Sequence, residues 1–200
     1  MTVVTPELML RSRTDDWTLA RWEGLSNDGN RYEVLDGVLY LTTSPSLFHQ
    51  WISQRVFLFL QLELVAVEGG FVFYASAGLV MLGSDPAQPD LFYLRAADRE
   101  LMHDRRVHGV PALIVEILSP SNPELDLVIK RASYARAGVP EYWVFRPASR
   151  DVLILSDPDP VRREYRSETL VPATGELVSP TLPLRTRIAR FFADAPDTTL

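Results

Sequence analysis

The sequence predicts an α/β chain in which helices pack on a mixed β-sheet that ends in an antiparallel extension. Three observations carry this reading. Two long helical patterns interleave with short runs of Val, Ile, Leu, Phe and Tyr. An Asp36-Gly37 turn joins two apolar runs near the N-terminus. After Phe145, strand-like runs follow one another with only a short terminal helix behind them. With 200 residues, 46% of them hydrophobic, the chain can bury the core of one domain. No repeat or linker divides it, so a single domain over residues 1–200 is expected.

The elements follow in order. Thr18 to Leu25 reads as a short helix stopped by Asn27-Asp28-Gly29-Asn30. Arg31–Leu35 and Val38–Thr42 flank Asp36-Gly37 as a hairpin, because a two-residue Asp-Gly loop suits the twist of paired strands. Ser44-Pro45-Ser46 ends the second strand and leads into a helix from about His49 to Val67, closed by Gly69-Gly70. Phe71–Ala75, Leu79–Leu82, Leu91–Leu94 and Leu113–Leu118 read as strands. Ser121 or Asn122 caps a second helix with Pro123 in its first turn, and Gly138 stops it after Ala137. Glu141–Phe145 is the next strand. Val152–Leu155 and Arg163–Arg166 extend the sheet around a hairpin loop at Asp157–Pro160, and Ile188–Ala193 forms a terminal helix.

Composition narrows the chemistry. There is no cysteine, so disulfides, thiolate zinc sites and cysteine nucleophiles are excluded. Oxygen and imidazole ligands remain, which favours hard cations such as Mg²⁺ or Mn²⁺. Residues 1–16 lack an apolar secretory core, and the most apolar stretch, Val56 to Val67, is interrupted by Gln61 and Glu63. No signal peptide or membrane span is expected, and a cytoplasmic protein is. A net charge of −6 counts against a nucleic-acid partner as a whole-chain property. Arg105 and Arg106, or Lys130, Arg131 and Arg136, could still form a local basic patch or simply a solvated face.

Glu116 stands in the middle of Leu113-Ile114-Val115-Glu116-Ile117-Leu118, and an unpaired carboxylate in so apolar a strand is costly. It either pairs with an arginine at the strand's open end or serves chemistry. Asp90 opens another apolar strand, and although Pro89-Asp90 taken alone reads as an ordinary turn, the two acids can converge on an oxygen-ligand metal site completed by a backbone carbonyl such as that of Ile117. Asp126, Lys130 and Tyr134 are spaced i, i+4 and i+8 and share one face of the helix that follows the Glu116 strand. Lys130 is the single lysine beside 19 arginines. An exposed Asp126–Lys130 pair is the bland alternative, contributing only about 0.3–0.5 kcal/mol.

Five blocks then bear a family resemblance. Tyr32-Glu33-Val34-Leu35-Asp36-Gly37, Ser44-Pro45 with His49-Gln50, Gln88-Pro89-Asp90, Val115 to Ser121, and Tyr134 to Trp143 come in the order in which they occur in the Uma2 family, described as "putative restriction endonucleases". Together they cover roughly residues 17–155. The resemblance implies a restriction-endonuclease-like PD-(D/E)XK core in which Asp90 and Glu116 are the metal-binding acids. The residue two after Glu116 is Leu118, where the superfamily pattern has lysine, and the resemblance supplies Lys130 from the following helix instead. Glu33 matches a further acid that either joins the site or pairs with Arg31 or another cation. His49 matches a family position without an assigned role, and His103 and His108 belong to no motif.

The chemistry implied is Mg²⁺- or Mn²⁺-dependent hydrolysis of DNA, with Asp90, Glu116, Lys130 and Glu33 as catalytic residues and Ile117 contributing its carbonyl to the metal. A homodimer suits the cutting of both strands. Two readings compete. One is a catalytically silent nucleic-acid-binding or assembly protein of the same fold. The other is a glycoside hydrolase using Glu116 with Glu33 or Asp90, which needs carboxyls about 5–10 Å apart and no metal.

Overall fold

The computed structural model of the chain describes residues 9–25, 28, 30–42, 45–82, 85–119 and 123–196. Asn27 and Gly29 of the expected turn, Ser44, and the expected Ser121 or Asn122 cap lie outside these residues. In chain order the strands begin with β1 (Met9–Arg11), β2 (Arg31–Leu35), β3 (Val38–Thr42), β4 (Phe71–Tyr74) and β5 (Gly78–Val80). Next come β6 (Leu91–Leu94), β7 (Met102–His103), β8 (Arg106–His108), β9 (Leu113–Ile117) and β10 (Glu141–Arg146). The last are β11 (Asp151–Asp159), β12 (Glu164–Val171), β13 (Glu176–Val178) and β14 (Arg185–Arg187).

The central sheet has the order β12-β11-β10-β9-β6-β4. β9 and β10 run parallel, and every other neighbouring pair in it is antiparallel. Parallel neighbours need a crossover. It is supplied by the helix made of Leu125–Lys130, a wider π turn, and Arg131–Ala137. That connection brings Lys130 back over the sheet.

Strand alternation divides the core into two layers. Leu91, Tyr93, Leu113, Val115, Ile117, Trp143 and Phe145 face a long helix through its Phe48, Ile52, Val56, Phe59, Leu60 and Leu64. Phe92, Ile114, Tyr142 and Val144 face the opposite way, against Tyr134, Ala135 and Val139 of the crossover. The long helix runs Leu47–Leu60, widens at Gln61–Val65 and continues through Ala66–Glu68. It starts two residues earlier than expected because Ser46 caps it, its hydroxyl accepting from the His49 amide. Gly69 ends it at φ +75°, and at the following Gly70, φ +94°, an added Cβ would lie 2.5 Å from the Leu94 carbonyl oxygen.

The predicted hairpin forms with Asp36 and Gly37 at φ 48° and 76°, the pair of left-handed residues that a tight Asp-Gly turn requires. β1 adds to its other edge, giving the order β1-β3-β2. Leu35 and Tyr40 of this small sheet pack on Leu125 of the crossover helix. The hairpin therefore lies directly over Lys130's neighbours.

Several boundaries differ from expectation. The Leu79–Leu82 strand is Gly78–Val80, because pairing with β8 stops at Val80 opposite His108 and Leu82 is 95% exposed. The partner hairpin β7–β8 is short and charged, which is why no apolar alternation announces it; Asp104 and Arg105 turn it at φ 49° and 66°. Asp157–Pro160 is not itself the loop. β11 continues through Asp159, and the turn closes where the Arg163 amide donates to the Asp159 carbonyl at 2.8 Å. Among the described residues no helix is long and apolar enough to cross a membrane.

Candidate functional site

Antiparallel pairing of β6 with β9 sets Leu91 opposite Val115 and Phe92 opposite Ile114. One step further along this register places Asp90 opposite Glu116, on the same sheet face and at the same end. The Asp90 amide donates to Glu116 Oε2 at 3.1 Å, and the Ile117 amide donates to Asp90 Oδ2 at 2.8 Å. Both acids are buried, at 5% and 1% exposure. Ile117 meets the site through its amide.

The crossover helix closes the face above them. Lys130 Nζ lies 2.9 Å from Glu116 Oε1, 3.1 Å from Glu33 Oε2 and 3.4 Å from Asp126 Oδ1. Tyr134 donates its hydroxyl to Glu116 Oε1 at 2.8 Å. The shared helix face is present, but it points inward: Lys130 is 2% exposed, so neither the solvated Asp126–Lys130 pair nor a surface patch containing Lys130 is what forms. The other expected surface cations are largely engaged with acids. Arg131 meets Glu168, Arg136 meets Asp36 and Asp85, and Arg106 meets Glu23.

The hairpin brings the remaining groups. Alternation along β2 turns Arg31, Glu33 and Leu35 the same way. Glu33 is fully buried; its Oε1 accepts from the Gln88 amide at 2.9 Å, while its Oε2 makes no hydrogen bond of good geometry. Arg31 Nη1 lies 2.6 Å from Asp90 Oδ1, and Nη2 lies 3.4 Å from Glu33 Oε2 and 3.5 Å from Glu116 Oε2. From the long helix, His49 Nε2 reaches Asp90 Oδ2 at 3.0 Å. The structure thus brings Asp90, Glu116, Lys130 and Glu33 together. Arg31, expected only as a partner of Glu33, joins them, as do His49, Asp126 and Tyr134, to which no chemical role was assigned.

Electrostatics separates the acids. Burial pushes Glu116 up to about 8, with Lys130 pulling against the rise and Asp90 and Asp126 adding to it. Burial likewise raises Asp126. Burial acts the same way on Asp90, but the neighbouring His49 and Arg31 charges overcome it and hold the carboxyl well below the usual range. Glu33 is lowered because Arg31 and Lys130 outweigh its burial. Burial works against the charge of Lys130, yet the surrounding carboxylates keep its ammonium raised above the ordinary value. Four carboxyl groups, Glu33, Asp90, Glu116 and Asp126, face two permanent cations, Arg31 and Lys130. A surplus of buried oxygen ligands, one of them without a hydrogen bond, fits a hard divalent cation.

A second cluster lies on the β7–β8 hairpin, where ligand atoms of His103, Asp104 and His108 fall within 4.8 Å of one another. The two imidazoles stack at 4.0 Å with planes 7° apart, so their in-plane lone pairs do not converge on one point.

Comparisons with known proteins bear on the family and the fold. A family model described as "Putative restriction endonuclease" matches residues 18–190. No curated protein matches the sequence. The fold is similar to a crystal structure from Anabaena variabilis described as "a putative nuclease belonging to DUF820", with a TM-score of 0.68 at 14% identity over 88% of this chain and 97% of that one.

Proposed function

The chain belongs to the Uma2 family, whose model spans residues 18–190, and from that premise we propose that it is a divalent-metal-dependent endonuclease hydrolysing DNA phosphodiester bonds at the Asp90–Glu116 site. The observation that supports this reading most is the cross-strand pairing of Asp90 with Glu116 under Lys130, in a cluster where buried carboxyls outnumber cations. Asp90 and Glu116 would hold Mg²⁺ or Mn²⁺, with Glu33 and the Ile117 carbonyl as further ligands. A cation held there supplies charge neutralisation at the scissile phosphate and acidity to the attacking water.

The rest is done by the chain's own groups. The Ile117 amide fixes the orientation of Asp90, and the Tyr134 hydroxyl fixes that of Glu116, as outer-shell donors do for ligating carboxylates. Lys130 presents a compact ammonium with three rotatable donors beside Glu116, suited to orienting the attacking water or one phosphate oxygen. A second copy of the chain would allow both strands of a duplex to be cut.

The test is cleavage of plasmid and oligonucleotide DNA with Mg²⁺ or Mn²⁺ and with EDTA. Cleavage is expected only with metal, and Asp90→Ala and Glu116→Ala are each expected to abolish it while the circular dichroism spectrum is retained. Cleavage at the parent rate by either variant would remove the site assignment. DNA binding without cleavage or Mn²⁺ uptake would instead identify a silent relative of the same fold.

A further inference from the structure

The Arg31 guanidinium touches one oxygen on each of three carboxylates: Asp90 Oδ1 at 2.6 Å, Glu33 Oε2 at 3.4 Å and Glu116 Oε2 at 3.5 Å. The other oxygen of each is committed elsewhere. Asp90 Oδ2 accepts from the Ile117 amide and faces His49, Glu33 Oε1 accepts from the Gln88 amide, and Glu116 Oε1 accepts from Lys130 and Tyr134. Of the three oxygens that converge on Arg31, Glu33 Oε2 also lies 3.1 Å from Lys130 Nζ and Glu116 Oε2 also accepts from the Asp90 amide at 3.1 Å, but Arg31 is the group that spans all three and so occupies the point where an ion would meet them. We propose that Arg31 is the resident cation of the metal-free site and that a divalent metal is taken up by exchange, displacing its guanidinium from Asp90, Glu33 and Glu116.

The two cations of the cluster are not equivalent in this respect. Lys130 is 2% exposed and comes from a helix packed on the sheet, whereas the Arg31 side chain is 16% exposed and begins at the first residue of β2, at the open end of the hairpin. Its Nε is buried without a hydrogen-bond partner, so the fork is held through its two terminal nitrogens only. A guanidinium and a divalent ion cannot share the same three oxygens, since their repulsion at ion-pair distance in a site of low dielectric is strong. The long arginine stem lets the head swing outward while its methylenes stay against the hairpin. Once out, the planar fork is suited to a phosphate oxygen pair at the mouth of the site.

This inference rests on the metal-binding reading, and the experiment separates the two. Mn²⁺ is titrated into the full-length protein, Arg31→Gln and Arg31→Lys, reading free Mn²⁺ by electron paramagnetic resonance, with folding checked by circular dichroism. Mg²⁺ is then added to ¹⁵N-arginine-labelled protein, where the Arg31 Nε–H signal is identified by its loss in Arg31→Gln. The expected result is binding about tenfold tighter or more in Arg31→Gln, from the removal of a close competing charge. Arg31→Lys, which keeps the charge, should stay near the parent affinity, and Mg²⁺ should shift the Arg31 signal and expose its Nε–H to solvent exchange. Parent Mn²⁺ uptake with equal or weaker binding in Arg31→Gln, or an Arg31 signal unmoved by saturating Mg²⁺, overturns the exchange while leaving the metal site standing. No Mn²⁺ uptake by the parent or either variant overturns the metal site, and the exchange with it. If Arg31→Gln does not fold, Arg31→Lys, which also lacks the arginine, identifies the signal, and its response to Mg²⁺ in the parent protein decides alone.

Discussion

Replacing Lys130 by methionine, which keeps an unbranched stem one atom shorter and removes the charge, should cost the metal-free protein far more than loss of an ordinary ion pair. In the folded chain the ammonium is within 2.9–3.4 Å of Glu116, Glu33 and Asp126 and almost fully buried. Removing one partner of a buried ionic cluster leaves uncompensated charge and typically costs about 3–5 kcal/mol, against about 0–1 kcal/mol for an exposed pair. With an m-value near the upper end of about 1–3 kcal/mol/M for urea, the unfolding midpoint should fall by roughly 1–2 M. Trp143, fully buried in β10, offers the fluorescence signal, and the comparison is made in EDTA at pH 7.5.

The same variant should show a characteristic pH dependence. Lys130 is raised in the folded state, so its contribution is present below its unfolded value of about 10.4 and is intact at pH 7.5. In the variant the three acids lose their cation, and their folded values rise above the unfolded range of about 4. A carboxyl raised in this way contributes stability that is full below its unfolded value and lost as pH increases. The deficit against the parent should therefore be small near pH 4.5 and grow toward pH 8. A deficit under about 1 kcal/mol at pH 7.5, or one that does not shrink in acid, would refute the buried-cluster argument.

Three other outcomes are expected. Because Lys130 is the single lysine and is 2% exposed, amine acylation of the native protein should reach it about 10²-fold more slowly than in denaturing urea, as read by peptide mass spectrometry; equal rates would place it at the surface. Glu141→Leu leaves the donors of Trp143, Ser179 and Thr181 unpaired in the layer away from the site, so it should lower stability by about 2–4 kcal/mol while Mn²⁺ titration is unchanged. Arg146 binds Asp151 through two nitrogens, both at 2.6 Å, and holds that acid below its ordinary value. Its contribution is present above the unfolded value of about 3.9 and lost as pH falls through the folded one, so Asp151→Asn should cost about 1 kcal/mol at pH 7 and progressively less as the medium is acidified below that unfolded value, as checked by urea unfolding across that range.

The sequence by itself determined the features that depend on neighbours along the chain. Asp36-Gly37 specifies its turn through two left-handed residues, Gly69-Gly70 and Gly138 stop their helices, and the apolar runs around Leu91–Leu94 and Leu113–Ile117 mark strands buried on both faces. Glu116 was legible as a candidate site residue because a carboxylate within such a run has no local means of offsetting its desolvation. Asp126, Lys130 and Tyr134 were legible as one face for the same local reason, the helical period.

Only the tertiary structure decided which way that face points and what meets it. Arg31 joins Asp90 across 59 positions and His49 joins it across 41, distances over which neither period 2 nor period 3.6 carries information. Glu141, an acid in an apolar strand much like Glu116, is the clearest contrast. Its oxygens are satisfied by a tryptophan, a serine and a threonine, the latter two from 38 and 40 residues away, whereas Glu116 meets a lysine, a tyrosine and the edge of an arginine. The charged β7–β8 hairpin escaped for a related reason, since its pairing is set by β5 and not by its own hydrophobicity. Strand register and the crossover helix decide which distant charges share one buried volume, and in a medium of low dielectric that shared volume governs whether a buried acid is a structural anchor or a ligand.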